Sequence, residues 1–318
     1  MATAVNPTSS PVPSSNSNSA SLSVARRSVV VILAYGVLFI GALAMIMPFA
    51  YSIANSFKTL PDLTANPTLL YPTEGLSFGG YCKILGNVIS ACGSIINNSQ
   101  SSSNQDLPRW LFNSAFVAIA VTLGHVVFDS MAGYALARIN FPGRTLLFGT
   151  VLGTMMIPGI VLLIPRYLIY VQLGMVDQYS GLILPTLVDA FGIFLMKQFF
   201  ESIPKDIEEA AEMDGASRLR MFFQVILPLA VPALTTLAIF GFQGSWNDFT
   251  GPLIAISRNQ DLYTLPLGLA KVRGSTGSSL PWDILLAGSI ITTLPMAIIF
   301  FVFQRFFMES STYSGVKG

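Results

Sequence analysis

Charge is what this sequence has least of. Only 10% of its 318 residues are Asp, Glu, Lys or Arg, against 52% hydrophobic, and mean hydropathy is +0.63. Soluble domains carry roughly 25% charged residues, so a water-facing surface cannot be covered from this stock and the natural solvent is lipid. The 17 basic and 16 acidic residues leave a net charge of +1, which excludes the strong basic field of a nucleic-acid binder. A single histidine, His125, excludes a two-histidine metal motif. It also leaves a membrane protease one base; the segment Gly215-Ala216-Ser217-Arg218 falls in a loop rather than in a span. No Gly-x-x-x-x-Gly-Lys-Ser/Thr phosphate cradle occurs, so the chain is not expected to bind or hydrolyse ATP. Two cysteines, Cys82 and Cys92, share one long polar segment. They are either unpaired thiols or a disulfide in an oxidising compartment.

What is abundant is apolar runs. Six are long enough to span: 28–50, 111–137, 146–164, 181–200, 229–255 and 284–307, each near the 20 or so residues a bilayer requires. Backbone groups in lipid must be satisfied within the segment, and without barrel-like alternation these runs must be helices. The fold expected is an all-α integral membrane protein of six transmembrane helices. Pro158, Pro185, Pro232 and Pro295 lie inside runs and should kink or break them. A Ser-, Asn- and Pro-rich stretch over 1–27 is expected as a disordered tail. The Ala42-Leu43-Ala44 triplet permits a cleaved signal peptide as a rival to an uncleaved first span, but apolar character continues through Phe49.

Lys and Arg near span ends set the orientation. Arg26, Arg27, Arg138, Arg144, Lys197, Lys205, Arg218, Arg220 and Arg305 fall on one side in short loops. That side is read as cytoplasmic, with both termini on it. The segment 51–110 is then a long external loop with a Ser/Asn-rich patch near 97–105. The span domain runs over 28–308, and 309–318 forms a short cytoplasmic tail.

The most charged part of the chain is the inner loop 201–227, between the fourth and fifth spans. Pro204 suits the first turn of a helix, and Asp206, Glu208 and Glu209 favour its positive end. Gly215, after Asp214, is placed to end it in a left-handed conformation. Ile207, Ala210 and Ala211 fall on one face, and Ser217 can cap a second helix. Residues alone allow either a surface-lying amphipathic loop or a small-faced helix that docks into a groove of a soluble partner.

Glu209-Ala210-Ala211, then Gly215, then Val225-Ile226-Leu227-Pro228 resembles the EAA loop of permease subunits of ATP-binding-cassette importers, with Val225 where isoleucine is more usual. Ser56-Phe57-Lys58, Asn113-Ser114, Ala132-Gly133-Tyr134-Ala135, Phe141-Pro142-Gly143-Arg144, Met156-Ile157-Pro158, Trp246-Asn247-Asp248-Phe249 and Gly315-Val316-Lys317-Gly318 extend the likeness to the maltose-type carbohydrate permeases. The resemblance implies a type I importer permease, the smaller six-span partner in a heterodimeric pore of a bacterial cytoplasmic membrane. It further implies a second permease subunit, two copies of an ATPase that binds ATP and Mg, an extracytoplasmic solute-binding protein and a sugar-like substrate. Glu209, Ala210, Ala211, Asp214, Gly215, Leu227 and Pro228 are then the ATPase-coupling loop, and Gly315, Val316, Lys317 and Gly318 a second ATPase contact. The long N-terminal tail and the Ser/Asn-rich insertion depart from that pattern.

Polar residues inside spans cost free energy, so their positions carry information. His125 and Asp129 lie one turn apart and should share a hydrogen bond; Asp189 belongs to a helix contact or a pore wall. Gln243, Trp246, Asn247 and Asp248 combine an aromatic face with hydrogen-bonding groups, the chemistry a sugar requires. With Asn113 they are the candidates for the solute pathway. The competing function is a secondary transporter driven by an ion gradient, a class that usually shows internal repeats; none is visible here.

Overall fold

The computed structural model describes residues 17–85, 106–275 and 280–313, with side chains over 30–85, 106–273 and 280–304. Residues 1–16 of the expected tail, the Ser/Asn-rich patch with Cys92, residues 276–279 and Gly315–Gly318 lie outside the described residues. Two units are distinguished, Met1–Ser52 and Ile53–Gly318. The first consists of most of helix α1 (Ser17–Ser56), which starts well before residue 28, and no side chain between Val30 and Ala50 is buried. Pro48 lies inside this helix, and the Ser52 hydroxyl donates to its carbonyl at 2.8 Å.

The second unit is all helix among the described residues. After α2 (Leu60–Ala65) and α3 (Gly79–Leu85), one long rod is built from α4 (Leu107–Gly124), a π-turn (His125–Asp129) and α5 (Ser130–Arg138). The rod covers 32 residues and is long and apolar enough to cross a membrane. The third apolar run is not straight: α6 (Arg144–Met155) breaks at Met156-Ile157-Pro158, and the chain resumes through a tight turn (Gly159–Leu162) into α7 (Leu163–Gln172), bent by 93°. Proline has no N–H to donate and its ring obstructs the preceding turn, so the break falls where the sequence cannot continue the ladder.

The fourth run contains α8 (Tyr179–Ile183), a single tight turn at Pro185, and α9 (Ala190–Ser202), whose N-terminus is capped by Asp189 accepting from Phe191 N and Gly192 N at 3.1 and 3.3 Å. The inner loop forms α10 (Lys205–Met213), followed by α11 (Arg218–Met221), a second π-turn (Phe222–Ile226) and α12 (Leu227–Leu229). An 81° bend at Ala230, between Pro228 and Pro232, leads into α13 (Val231–Trp246). Then come α14 (Thr250–Ala255), α15 (Leu265–Ser275) and the long α16 (Trp282–Tyr313). Four helices, or up to six if each bent pair counts as one span, have the length and composition to cross a bilayer.

Lipid tails are as apolar as leucine, so association of such helices rests on close packing and hydrogen bonds rather than on the hydrophobic effect. Close packing is provided by three buried clusters. One gathers Tyr134, Met196, Phe200, Met221, Phe222 and Ile226 where the inner loop meets α5 and α9. A second packs Val117, Tyr170, Leu182 and Ile254, and a third Trp110, Trp246, Leu265 and Ile284. At Gly192 a Cβ would come within 2.1 Å of Asp129 Oδ2, so a side chain there would displace either the Asp129 carboxylate or α9. Cys82, on α3, is disulfide-bonded; the chain's one other cysteine is Cys92.

Candidate functional site

The charged helix α10 is tied to the span bundle by one arginine. Arg138 closes α5, where Nη2 donates to the carbonyls of Phe200 and Ile203 at 2.6 and 2.5 Å. Both carbonyls lie at the C-terminal end of α9, where Phe200 O also accepts from Ile203 N at 3.3 Å. Its Nε stands 3.0 Å from Glu208 Oε1, both side chains being nearly fully buried at 4% and 9% exposure. Glu208 sits in the first turn of α10, where the helix dipole also favours a carboxylate. A second, more exposed set surrounds the same corner: Lys197 Nζ lies 2.7 Å from Glu201 and 4.2 Å from the centre of the Phe148 ring, and Arg144 reaches Glu201 at 3.6 Å.

The other face of α10 is left open by the described residues. Asp206, Ile207, Glu209 and Ala210 are exposed, Met213 is 88% exposed and Leu219 on α11 is 67% exposed. Asp214 follows as the C-cap, and Gly215 takes φ +79°, with its N–H donating to Glu212 O at 3.0 Å. That left-handed turn is open to glycine without penalty. Ser217 then accepts from Arg220 N at 3.4 Å and starts α11. Leu227 is half-buried and Pro228 exposed on the approach to the Ala230 bend.

The second feature is a cavity of about 550 Å³ beside the π-turn, walled by α4, α7, α9, α13 and the segments around Asp248 and Thr264. His125 lines it while its Nδ1 pairs with Asp129 Oδ2 at 2.7 Å; Asp129 Oδ1 in turn accepts from Asp189 N at 3.1 Å. The buried carboxylate therefore fixes both the imidazole and the start of α9. Among the described residues no group of three or more His, Cys, Asp or Glu is arranged to hold a metal ion.

The five pathway candidates separate. Asp248 lines the cavity, and its Oδ1 accepts from Gly251 N at 3.1 Å. Gln243 and Asn247 are exposed on α13 and at its end, with Asn247 Nδ2 donating to Gln243 O at 3.0 Å. Trp246 points the other way: it is buried, stacks on Phe242 and donates from Nε1 to Thr292 O at 3.2 Å. Asn113 is fully buried and spends its amide inside the bundle, donating to Asp261 O and Tyr263 O at 2.7 and 2.9 Å and accepting from the Tyr179 hydroxyl at 2.7 Å. Arg166 and Thr264 were not singled out from sequence. Arg138 was read only as a charge that sets orientation and Glu208 only as a carboxylate at a helix start; nothing paired the two. Thr264 offered no signal.

The chain matches the family model described as "Binding-protein-dependent transport system inner membrane component" over residues 129–309. It is 32% identical over 287 residues to the trehalose/maltose transport system permease protein MalG of Thermococcus litoralis, covering 88% of this chain and 96% of that protein. Against the arabinooligosaccharides transport system permease protein AraQ of Halalkalibacterium halodurans identity is 39% over 209 residues, covering 66% and 74%. A similar solved structure is the crystal structure of a bacterial ABC transporter involved in the import of the acidic polysaccharide alginate. Its TM-score is 0.72 at 24% identity, covering 88% of this chain and 97% of that one.

Proposed function

This chain belongs to the inner membrane components of binding-protein-dependent transport systems, and from that premise we propose how it works and what it carries. It is a non-catalytic permease subunit of an ATP-binding-cassette importer. Membership of this family sets aside the ion-gradient alternative. The substrate is a sugar or sugar-like solute (a di- or oligosaccharide, a glycosylated compatible solute or a glycerol derivative), in line with relatives named for trehalose/maltose and arabinooligosaccharides. The membrane is the bacterial cytoplasmic membrane, with both termini on its inner side. A second permease subunit completes the pore, two copies of an ATPase bind ATP and Mg, and a solute-binding protein delivers substrate from outside.

Helix α10 is the element on which the ATPase pulls. The observation that carries this is its two-sided construction: Glu208 anchored inward on Arg138 at 3.0 Å, with Glu209, Ala210 and Met213 exposed outward. Ala210 lets a partner surface approach closely, Glu209 offers it a charge, and Gly215 makes the turn that returns the chain to the bundle. A push on α10 passes through Arg138 into α5 and α9, and through Met221 and Phe222 into the bent α11–α13 arm. These are rigid elements meeting at a few hinge points, the form in which alternating access is usually built. Gly315–Gly318 form a second contact with the same ATPase.

The test is affinity purification of the tagged chain from mild detergent. Recovery of a second permease and an ATPase is expected. Recovery of the chain alone, under conditions that hold comparable complexes together, would refute the coupling role of α10.

A further inference from the structure

The cavity beside the π-turn contains polar groups that the fold does not use. Asp189 and Asp248 each use one carboxylate oxygen on backbone N–H groups, Oδ2 of Asp189 and Oδ1 of Asp248, and have the other oxygen free among the described residues. Arg166 also lines the space and makes no ion pair or hydrogen bond among the described residues. On the apolar side Phe191 and Phe240 meet edge to face, ring centres 5.7 Å apart, and both are partly open to the cavity.

Resting on the permease reading above, we propose that this cavity is a solute subsite carried by this chain itself, built for an uncharged polyhydroxylated ring and closed to anions. Free carboxylate oxygens accept from hydroxyl groups, the Arg166 guanidinium donates to ring or hydroxyl oxygens, and the phenyl pair faces the C–H side of a ring. The volume, about 550 Å³, falls within the roughly 300–1,000 Å³ of small-molecule sites. Selection comes from charge. Two carboxylates face one guanidinium, and the imidazole of His125 is already paired with the carboxylate of Asp129. The lining is net negative, so a phosphate or uronate entering it meets repulsion that a neutral sugar does not.

The experiment uses native membrane vesicles carrying the complete importer, with Gly244→Cys, where a Cβ meets nothing within 4 Å, and, separately, Ser245→Cys, a second lining position. The rate of modification by cationic and anionic methanethiosulfonates of equal size is measured against the unsubstituted protein. The cationic reagent should react faster by on the order of tenfold, as a negatively lined cleft concentrates cations. Neutral mono- to trisaccharides should slow labelling, and glycerol 3-phosphate and a uronic acid oligomer should not. Equal rates for the two reagents, protection by the anions, or no protection by any neutral saccharide at either position would overturn the proposal. ATPase retention by the tagged chain is scored in the same membranes. If it is lost the permease reading has failed; if it is intact while protection is absent, the subsite alone has failed.

Discussion

At one end of the rod 107–138, Arg138 spends its guanidinium inside the chain: two carbonyls and a carboxylate take it up, and almost nothing of either charged side chain is exposed. Midway along the same rod, around His125, the neighbouring cavity is lined by Asp189 and Asp248, each with one carboxylate oxygen unused, and by Arg166, which makes no ion pair or hydrogen bond among the described residues. Charged side chains inside a span bundle are normally paired, and unpaired ones call for a reason. The first cluster has the construction of a joint that must not slip. The second has that of a place where something else arrives. Stability should therefore reside in the joint, and specificity in the cavity.

The hardest blow to this contrast falls on the joint. Arg138→Ala leaves Glu208 buried without its partner and should cost about 3–5 kcal/mol, seen as a large drop in the thermal unfolding midpoint of the detergent-purified complex. The paired variant Arg138→Met with Glu208→Leu should recover much of that loss while uptake stays impaired. If the single variant unfolds normally, the joint is not what holds α10.

A smaller effect is expected at Gly215, where φ is +79° and a Cβ would meet nothing within 4 Å. Gly215→Val should strain the turn by about 1–2 kcal/mol without a clash, so the protein should accumulate in the membrane yet retain less ATPase on purification. Unchanged retention would separate the turn from docking. Asp248→Asn should sharpen the contrast from the cavity side. It keeps an oxygen for Gly251 N and removes one lining charge, so stability should stay within about 1 kcal/mol of the parent while uptake assays show weaker discrimination between neutral and anionic sugars.

The smallest effect concerns pH. Burial opposes ionisation of Asp177, but the backbone N–H groups of Asn259, Arg258 and Ser257 outweigh it and hold the carboxyl below its ordinary value. The stabilisation is complete above about pH 4, the unfolded range for Asp, and is lost as pH falls through the lowered folded value. Asp177→Asn should therefore make the link between α7 and α8 less acid-sensitive, measured as amide exchange at Ser257–Asn259 across that range.

Much of this architecture could be read from residue patterns. Apolar runs of span length stand out in a chain so poor in charge, and Pro158 and Pro232 mark the two arms that bend by 93° and 81°. Their angles could not be read, because a missing N–H permits a bend without fixing its size. The His125–Asp129 bond was legible because both partners lie on one helical turn. Arg138 and Glu208 were not, since nothing local links residues that far apart and each alone reads as a loop charge. Asn113 and Trp246 show the converse: polar groups that look available for solute are spent on Tyr263 and Thr292, which lie far along the chain.

The π-turn at His125–Asp129 gives the rod two directions. Such a turn accommodates one residue more than the helix on either side of it, and one residue corresponds to about 100° of rotation at 3.6 residues per turn. The half that carries Val117 and Val121 is thus indexed to the cavity, and the half that carries Tyr134 and Arg138 to the inner-loop cluster. Deleting one residue there would straighten the helix into a single phase. Arg138 would then swing away from Glu208 although neither had been altered, as a key cut correctly and turned to the wrong angle fails to engage.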